Sequence, residues 1–350
     1  MVSPARMRLA LLACFAVRSL LAAAAEVCSS QQEATHGPAK LLQVALHLAN
    51  VEGTSETAVH PLGDTSLQKG IAHIRVPKTG SSTMKLVVSR LSILYGLNLL
   101  NLTYYSFDGS LTAEGLAAEI PSPSYYSKHD RRSHSGAMLH AAMPEAKWVS
   151  MVRDPQGMCM SMYYHKKGVA GEAPTDASKI EFIDSDPECT GDFISTYLEE
   201  TANSTANQIL EIYNFVGVTE RYDESLLALK HVLQLNMSDV FYVKFRDSSK
   251  PCNWPSGTRH WIPLEHPSVE EESAAVRQAL DEKIWTRDRL LVAAANKKLD
   301  SVIAAYGPSY QDDLELFQSR LASLSSECGC LDHYGPSIDC INEMATQHGW

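Results

Sequence analysis

The sequence reads Ile71-Ala-His-Ile-Arg-Val-Pro-Lys-Thr-Gly-Ser-Ser-Thr83 where an apolar run meets a turn rich in Gly, Ser and Thr. Beyond the turn, apolar side chains recur at helical spacing, at Met84, Val87, Val88, Leu91 and Tyr95. This periodicity predicts an amphipathic helix that packs on a sheet. The turn then lies at a helix N-terminus, where orphan backbone N–H groups and the helix dipole favour an anion. We predict a phosphate-binding loop, with an ordinary strand-to-helix turn as the alternative.

The order of residues in this turn argues against a nucleoside triphosphatase. A Walker A loop has Gly, four residues and then Gly-Lys-Ser/Thr. Here Lys78 comes before Gly80, the only glycine of the turn. A P-loop kinase is therefore disfavoured.

A second candidate phosphate site is the segment Lys147-Trp-Val-Ser-Met-Val-Arg-Asp-Pro155. Asp154 and Pro155 are typical of an N-cap and a first helical position, so a helix is predicted from about 155 to 166. Ser161 lies about two turns into that helix. Arg153 suits a phosphate because its planar guanidinium stays charged and binds oxygens bidentately. The alternative is a surface ion pair between Arg153 and Asp154 beside a helix cap.

The two motifs resemble the donor site of sulfotransferases that use 3′-phosphoadenosine 5′-phosphosulfate. The loop is similar to their 5′-phosphosulfate loop, and Arg153 with Ser161 is similar to their 3′-phosphate site. The resemblance extends to Golgi carbohydrate sulfotransferases, most closely the galactose 3-O-sulfotransferases, through residues 216–230, 239–245, 284–300 and 317–328. It covers roughly residues 70–328.

The resemblance implies an α/β protein of the P-loop-like sulfotransferase fold, with a mainly parallel central sheet and helices on both faces. Lys78 would also offset the charge that develops on the bridging oxygen of the leaving phosphate. Arg153 and Ser161 would bind the 3′-phosphate, and no metal is implied. The 5′ end of the donor would be held by Lys78, Thr79, Gly80, Ser81, Ser82 and Thr83.

A histidine is the expected general base, because its ordinary pKa lies near neutrality. The family's His-x-Arg segment corresponds to His129-Asp-Arg131, whereas an alignment to the uronyl 2-O-sulfotransferases selects His134. Some related enzymes use a Glu within the helix after the loop, but residues 84–90 contain no acid. Either histidine remains a candidate.

The segment 250–266 has two interpretations. It is either a solvent loop or a cover over the nucleotide, in which Arg259 reaches the 3′-phosphate and Trp254 or Trp261 covers the adenine.

Strands are predicted at 71–76, 147–152, 214–219 and 240–245, with helices between them. This alternation indicates a parallel sheet whose ligands bind at the carboxyl ends of the strands.

Composition limits the partners that the chain is expected to bind. The 350 residues carry a net charge of -11, which argues against nucleic acid as a partner. A locally positive cavity mouth is still expected from Lys128, Arg131, Arg132, Lys166 and Lys167.

The N-terminus resembles a targeting element, since two arginines precede an apolar run and a stretch of alanines. We predict a signal peptide or membrane anchor at 1–25, a stem at 26–68, a sulfotransferase domain at 69–328 and a Cys-containing tail at 329–350. The secretory pathway, with a Golgi lumenal domain, is the expected location. Sequons at Asn101, Asn203 and Asn236 agree with it.

The chain has eight cysteines, three of which crowd the C-terminus at Cys328, Cys330 and Cys340. In an oxidising compartment, disulfides in this tail are favoured over a zinc site.

The sequence thus predicts an O-sulfotransferase that acts on a hydroxyl of a glycan or glycolipid, with 3′-phosphoadenosine 5′-phosphosulfate as co-substrate. Membrane contact is expected only through the N-terminal anchor. The alternatives are sulfation of a small hydroxylated metabolite and a catalytically inactive nucleotide-binding module.

Overall fold

The computed structural model describes residues 67–99, 124–129, 131–244, 267–283, 286–328 and 334–350. These residues belong to one compact unit of the chain. The predicted targeting segment, almost all of the predicted stem and the segment 250–266 lie outside the described residues. No helix in the described ranges is both long enough and apolar enough to cross a membrane.

A parallel sheet of five strands forms the centre of the described fold. The strands are β1 (Ile71–Ile74), β2 (Asn98–Leu99), β3 (Ser124–Lys128), β4 (Lys147–Val152) and β5 (Phe215–Val218). Their order is β2-β3-β1-β4-β5, and every neighbouring pair runs parallel. The predicted α/β class with a parallel sheet is therefore confirmed.

β1 is the central strand, and its two neighbours align their carboxyl ends with its own. Ile71 pairs with Tyr125 of β3 on one side and with Lys147 of β4 on the other. The turns that follow β1, β3, β4 and β5 therefore emerge at one edge of the sheet. Described helices connect β1 to β2, β3 to β4 and β4 to β5, as is usual for parallel strands.

The helix after β1 is α1 (Ser81–Leu94). Its predicted apolar face is confirmed, because Met84, Val87, Val88 and Leu91 are fully buried and Tyr95 is 2% exposed. Burial of this face against the sheet stabilises the helix, at about 25 cal/mol per Å² of apolar surface removed from water.

The remaining helices surround the sheet. They are α2 (Arg132–Ala142), α3 (Pro155–Ala170), α4 (Asp176–Ser185), α5 (Pro187–Thr190), α6 (Phe193–Leu198), α7 (Ala206–Ile212), α8 (Tyr222–Leu233), α9 (Ala274–Lys283), α10 (Thr286–Tyr306), α11 (Tyr310–Cys328) and α12 (Tyr334–Gln347).

The predicted start of α3 is confirmed. The Asp154 carboxylate accepts a hydrogen bond of 2.8 Å from the Gly157 backbone N–H, and Pro155 is the first helical residue. The cap satisfies one of the orphan donors of the first turn.

The predicted strand at 240–245 is wrong for the residues that the structure describes. Met237–Val240 instead form a 3-10 turn, with Asn236 and Asp239 in a capping box. The following residues, Phe241 to Val243, are buried without belonging to the sheet. Burial of a short apolar run does not distinguish a strand from an irregular core segment. The strands β2 and β3 were not predicted.

Two disulfides join described residues. Cys328 bonds to Cys340, which confirms a disulfide in the C-terminal region and ties α12 to the end of α11. Cys159 of α3 bonds to Cys189 of α5, a pairing that the sequence spacing did not predict.

Candidate functional site

A cavity of about 800 Å³ opens at the edge where the carboxyl ends of the strands meet. Its lining includes Lys78 and Gly80 after β1, His129 after β3, Arg153 after β4 and Glu220 after β5. This volume lies within the range of pockets that bind small molecules and cofactors. The structure thus brings both predicted phosphate motifs and one of the two candidate bases to a single cavity.

The loop between β1 and α1 has an unusual backbone. Lys78 has a φ of 63° and Gly80 a φ of 67°, both in the left-handed region. Lys78 pays a steric cost there that Gly80 does not. The buried hydroxyl of Thr79 donates a hydrogen bond of 3.0 Å to the Val76 carbonyl. The Thr79 side chain thus tightens the loop and does not line the cavity.

Tyr222 closes the loop from the opposite side. Its hydroxyl donates to the Gly80 carbonyl at 3.2 Å, and a Cβ added to Gly80 would lie 2.7 Å from Cε2 of its ring. Glycine is therefore required at position 80 for two reasons, the left-handed φ and the contact with the ring. Burial raises the pKa of Tyr222, so its hydroxyl stays protonated and able to donate.

The start of α1 presents donors to this cavity. Gly80 is the N-cap and has no side chain, and the first intrahelical bond runs from the Met84 N–H to the Gly80 carbonyl at 3.1 Å. The N–H groups of a helix's first turn generally have no acceptor within the helix. Ser81, Ser82 and Thr83 occupy this turn and line the cavity. No acidic residue lies in the first turn, so the helix dipole is left to favour an anion.

Arg153 connects the two motifs. Its Nη1 donates a hydrogen bond of 3.1 Å to the Lys78 carbonyl, and its Nε lies 3.8 Å from Oε1 of Glu220. The buried Nε makes no hydrogen bond to any described residue. Burial lowers the pKa of Arg153, whereas the carboxylates of Glu220 and Asp154 oppose this shift. Asp154 serves as the helix cap, so the expected alternative of a surface Arg153–Asp154 pair does not describe the site.

Ser161 and His165 lie one turn apart on α3, and both line the cavity. Ser161 is 8% exposed and lines the cavity together with Arg153. The i, i+4 spacing sets His165 on the same helix face. That spacing was the available signal for His165, which the sequence analysis missed.

His129 lies immediately after β3, and it lines the cavity. Its Nδ1 lies 2.8 Å from the Arg75 carbonyl oxygen. Because a carbonyl only accepts, Nδ1 carries the hydrogen, and the lone pair of the neutral ring lies on Nε2. His134 lies in the first turn of α2, and its side chain is outside the described residues.

The basic residues that were expected at the mouth of the cavity lie elsewhere in the structure. None of Lys128, Arg131, Arg132, Lys166 and Lys167 lines the cavity. The guanidinium of Arg132 is buried 3.3 Å from the centre of the Trp148 ring. Lys166 pairs with Asp186 and Glu188, and Lys167 pairs with Glu172. Carboxylates that follow α3 in the chain thus pair with Lys166 and Lys167. The predicted Arg259 lies outside the described residues.

The cavity also has an acidic side that the sequence analysis did not expect. Glu220, Asp223 and Glu224 line it from the turn and helix after β5. Asp223 accepts hydrogen bonds from Tyr242 at 2.6 Å and from Gln318 at 3.1 Å. The rule that ligands bind at strand carboxyl ends could have drawn attention to these residues.

Comparison of the chain with protein-family models and with curated proteins finds no match in either case. Among the described residues, no group of three or more His, Cys, Asp or Glu side chains is arranged to hold a metal ion.

Proposed function

We propose that the chain is a sulfotransferase of the P-loop-like sulfotransferase fold. It transfers a sulfuryl group from 3′-phosphoadenosine 5′-phosphosulfate to a hydroxyl of a glycan or glycolipid in the secretory pathway. The observation that carries this proposal is the single cavity shared by the loop Lys78–Thr83, the Arg153–Ser161 pair and His129. A kinase-type loop would instead present its lysine after a second glycine.

The donor site fits a nucleotide with phosphate groups at both ends. The N–H groups of Ser81 to Thr83 lie at a helix start that attracts one anion. Arg153 lines the same cavity, and its guanidinium can bind a second anion there. The hydrogen bond from the Arg153 guanidinium to the Lys78 carbonyl links these two donor sets.

His129 is the proposed base. Its Nδ1–H bond to the Arg75 carbonyl orients the ring, and Nε2 accepts the proton of the acceptor hydroxyl as the oxygen attacks sulfur. The new bond is oxygen to sulfur, and the broken bond joins sulfur to the bridging oxygen of the donor. Lys78 stabilises the negative charge that this bridging oxygen gains, and adenosine 3′,5′-bisphosphate leaves.

The first test is the thermal midpoint of the protein with adenosine 3′,5′-bisphosphate, and separately with adenosine triphosphate and magnesium. A ligand that binds only the folded state raises the midpoint by mass action. At about 100 times the dissociation constant we expect a rise of about 5 °C with the bisphosphate.

Arg153→Ala should abolish this rise, because it removes the guanidinium from the cavity. Arg289→Ala is the matched control, since Arg289 is a half-exposed arginine that pairs with Asp281 at 3.7 Å. A rise with the triphosphate alone, or an undiminished rise in Arg153→Ala, would contradict the proposal.

A further inference from the structure

Glu220 lies close to Arg153, so its charge would act on a phosphate that binds to this arginine. It belongs to the 3-10 turn Thr219–Arg221, which follows β5 directly. The Thr219 hydroxyl donates a hydrogen bond of 2.9 Å to the Val152 carbonyl, which holds this turn against the end of β4. Oε1 of Glu220 accepts the Asp154 backbone N–H at 3.1 Å and lies 3.8 Å from Nε of Arg153.

The other described carboxylates that line the cavity have different partners. Asp223 accepts from the Tyr242 hydroxyl and from the Gln318 amide. Glu224 pairs with Arg221, which also bonds to Asp300 at 2.7 Å. Of these three carboxylates, Glu220 is the one that pairs with Arg153, the proposed phosphate ligand.

We propose that Glu220 is a built-in counter-ion of the phosphate site, which competes with the donor's phosphate for Arg153. This inference rests on the proposed function and adds a regulatory property to the same site. The affinity for the phosphorylated nucleotide then depends on whether Glu220 is ionised.

The contact geometry indicates that Glu220 competes with a phosphate for Arg153 and does not merely hold the arginine in place. Glu220 is at ion-pair distance from Nε but makes no hydrogen bond to it, and its hydrogen bond goes to the Asp154 N–H. Arg153 and Glu220 line the same cavity, so a phosphate bound there would meet the guanidinium beside this carboxylate. A bound phosphate and an ionised Glu220 would then be neighbours of like charge, and their repulsion would weaken binding.

Proton binding by Glu220 removes this repulsion. Burial raises the pKa of Glu220 and so does nearby Asp154, while two backbone hydrogen bonds and Arg153 oppose the rise. The carboxyl thus takes up its proton at a higher pH than an exposed glutamate, and affinity should increase as the pH falls through this pKa. Even when protonated, Glu220 retains an oxygen that can accept the Asp154 N–H.

Several other groups titrate at this cavity. Arg153 and Asp154 face Glu220 from the junction of β4 and α3, and Lys78, His129 and His165 line the same cavity. The ligand phosphate also changes charge near neutral pH. A pH profile of the unmodified protein alone does not isolate the effect of Glu220. The useful quantity is the ratio of the affinities of Glu220→Gln and the unmodified protein at each pH.

The experiment is isothermal titration of the full chain with adenosine 3′,5′-bisphosphate between pH 5 and pH 8. Glu220→Gln removes the charge and keeps an amide oxygen for the Asp154 N–H. At pH 8 we expect Glu220→Gln to bind roughly tenfold more tightly than the unmodified protein. The ratio should approach one as the pH falls. Asp300→Asn, which removes an equal charge next to Arg221 outside the cavity lining, should show a ratio that stays flat.

Equal or weaker binding by Glu220→Gln at pH 8 would overturn the inference and assign Glu220 a supporting role for Arg153. Glu220→Ala provides a second neutral variant, and it must show the same direction if Glu220→Gln folds poorly. Absence of binding by the unmodified protein at every pH would instead reject the proposed function, and the inference with it. Binding that Arg153→Ala abolishes and Glu220→Gln leaves unchanged would reject the inference alone.

Discussion

Gly80 is the residue on which the shape of the loop between β1 and α1 depends. It combines a φ of 67° with the ring of Tyr222 at 2.7 Å from where a Cβ would be. Any side chain meets both a backbone penalty and a steric conflict. Because Tyr222 comes from the element after β5, this one contact couples the loop after β1 to the far side of the cavity.

Gly80→Ala should lower the free energy of unfolding by about 2–4 kcal/mol, from left-handed strain and overpacking together. Gly96→Ala is the matched control, because Gly96 has a φ of 62° and nothing within 4 Å of an added Cβ. We expect the control to lose only about 1–2 kcal/mol. Urea denaturation of both variants measures the difference. Equal losses would show that the Tyr222 contact costs nothing.

At the scale of elements, α12 is attached to α1, the helix that follows the central strand β1. Arg90 of α1 is 2% exposed. Its Nε donates a hydrogen bond of 2.6 Å to Oδ1 of Asn342 in α12. Its Nη1 donates to the Ser238 carbonyl. Burial lowers the pKa of Arg90 to about 10, although Asp239 opposes the shift. Arg90 is therefore still charged at neutral pH, and it needs these acceptors.

Asn342→Ala should lower the free energy of unfolding by about 1–3 kcal/mol, because a buried cation loses an acceptor. The exposed neighbour Glu343 provides the control, and Glu343→Ala should change stability by less than about 0.5 kcal/mol. Denaturant titration of both proteins with the disulfides intact measures this effect. If the two variants lose the same stability, Arg90 does not depend on Asn342.

Across the whole molecule, the stability at acid pH is linked to a histidine inside the sheet. His73 of the central strand β1 is fully buried, and its Nδ1 lies 2.9 Å from the Ser127 hydroxyl. Burial holds the pKa of His73 well below 6.5, with smaller contributions from Arg75, His129 and Lys85. The folded protein therefore keeps His73 neutral while the unfolded chain takes up a proton below about pH 6.5.

The sign follows from this difference in proton uptake. Above about pH 6.5 both states are neutral at this position, and below it stability should fall by up to about 1.4 kcal/mol per pH unit. His73→Asn keeps a polar group near Ser127 but does not titrate, so its loss between pH 6.5 and 5.5 should be about 1 kcal/mol smaller. Urea titrations at both pH values measure it. An equal loss in His73→Asn and in the unmodified protein would show that His73 does not set this slope.

What the sequence by itself determined is local. The buried face of α1, the capped start of α3 and the anion-favouring turn before α1 all depend on residues within a few positions of one another. Such interactions can be read from spacing. The structure confirms the buried face of α1 and the capped start of α3, and it shows a turn at the N-terminus of α1. The parallel α/β class followed in the same way, from the alternation of strands and helices.

The tertiary structure alone decided which of these local features meet. The order β2-β3-β1-β4-β5 brings His129, Arg153 and Glu220 to one cavity, and the bond from Tyr222 to Gly80 joins residues 142 positions apart. The Cys159–Cys189 pair and the irregular course of residues 241–244 have the same origin. Contacts between distant segments depend on how buried surfaces pack, and spacing along the chain does not encode them.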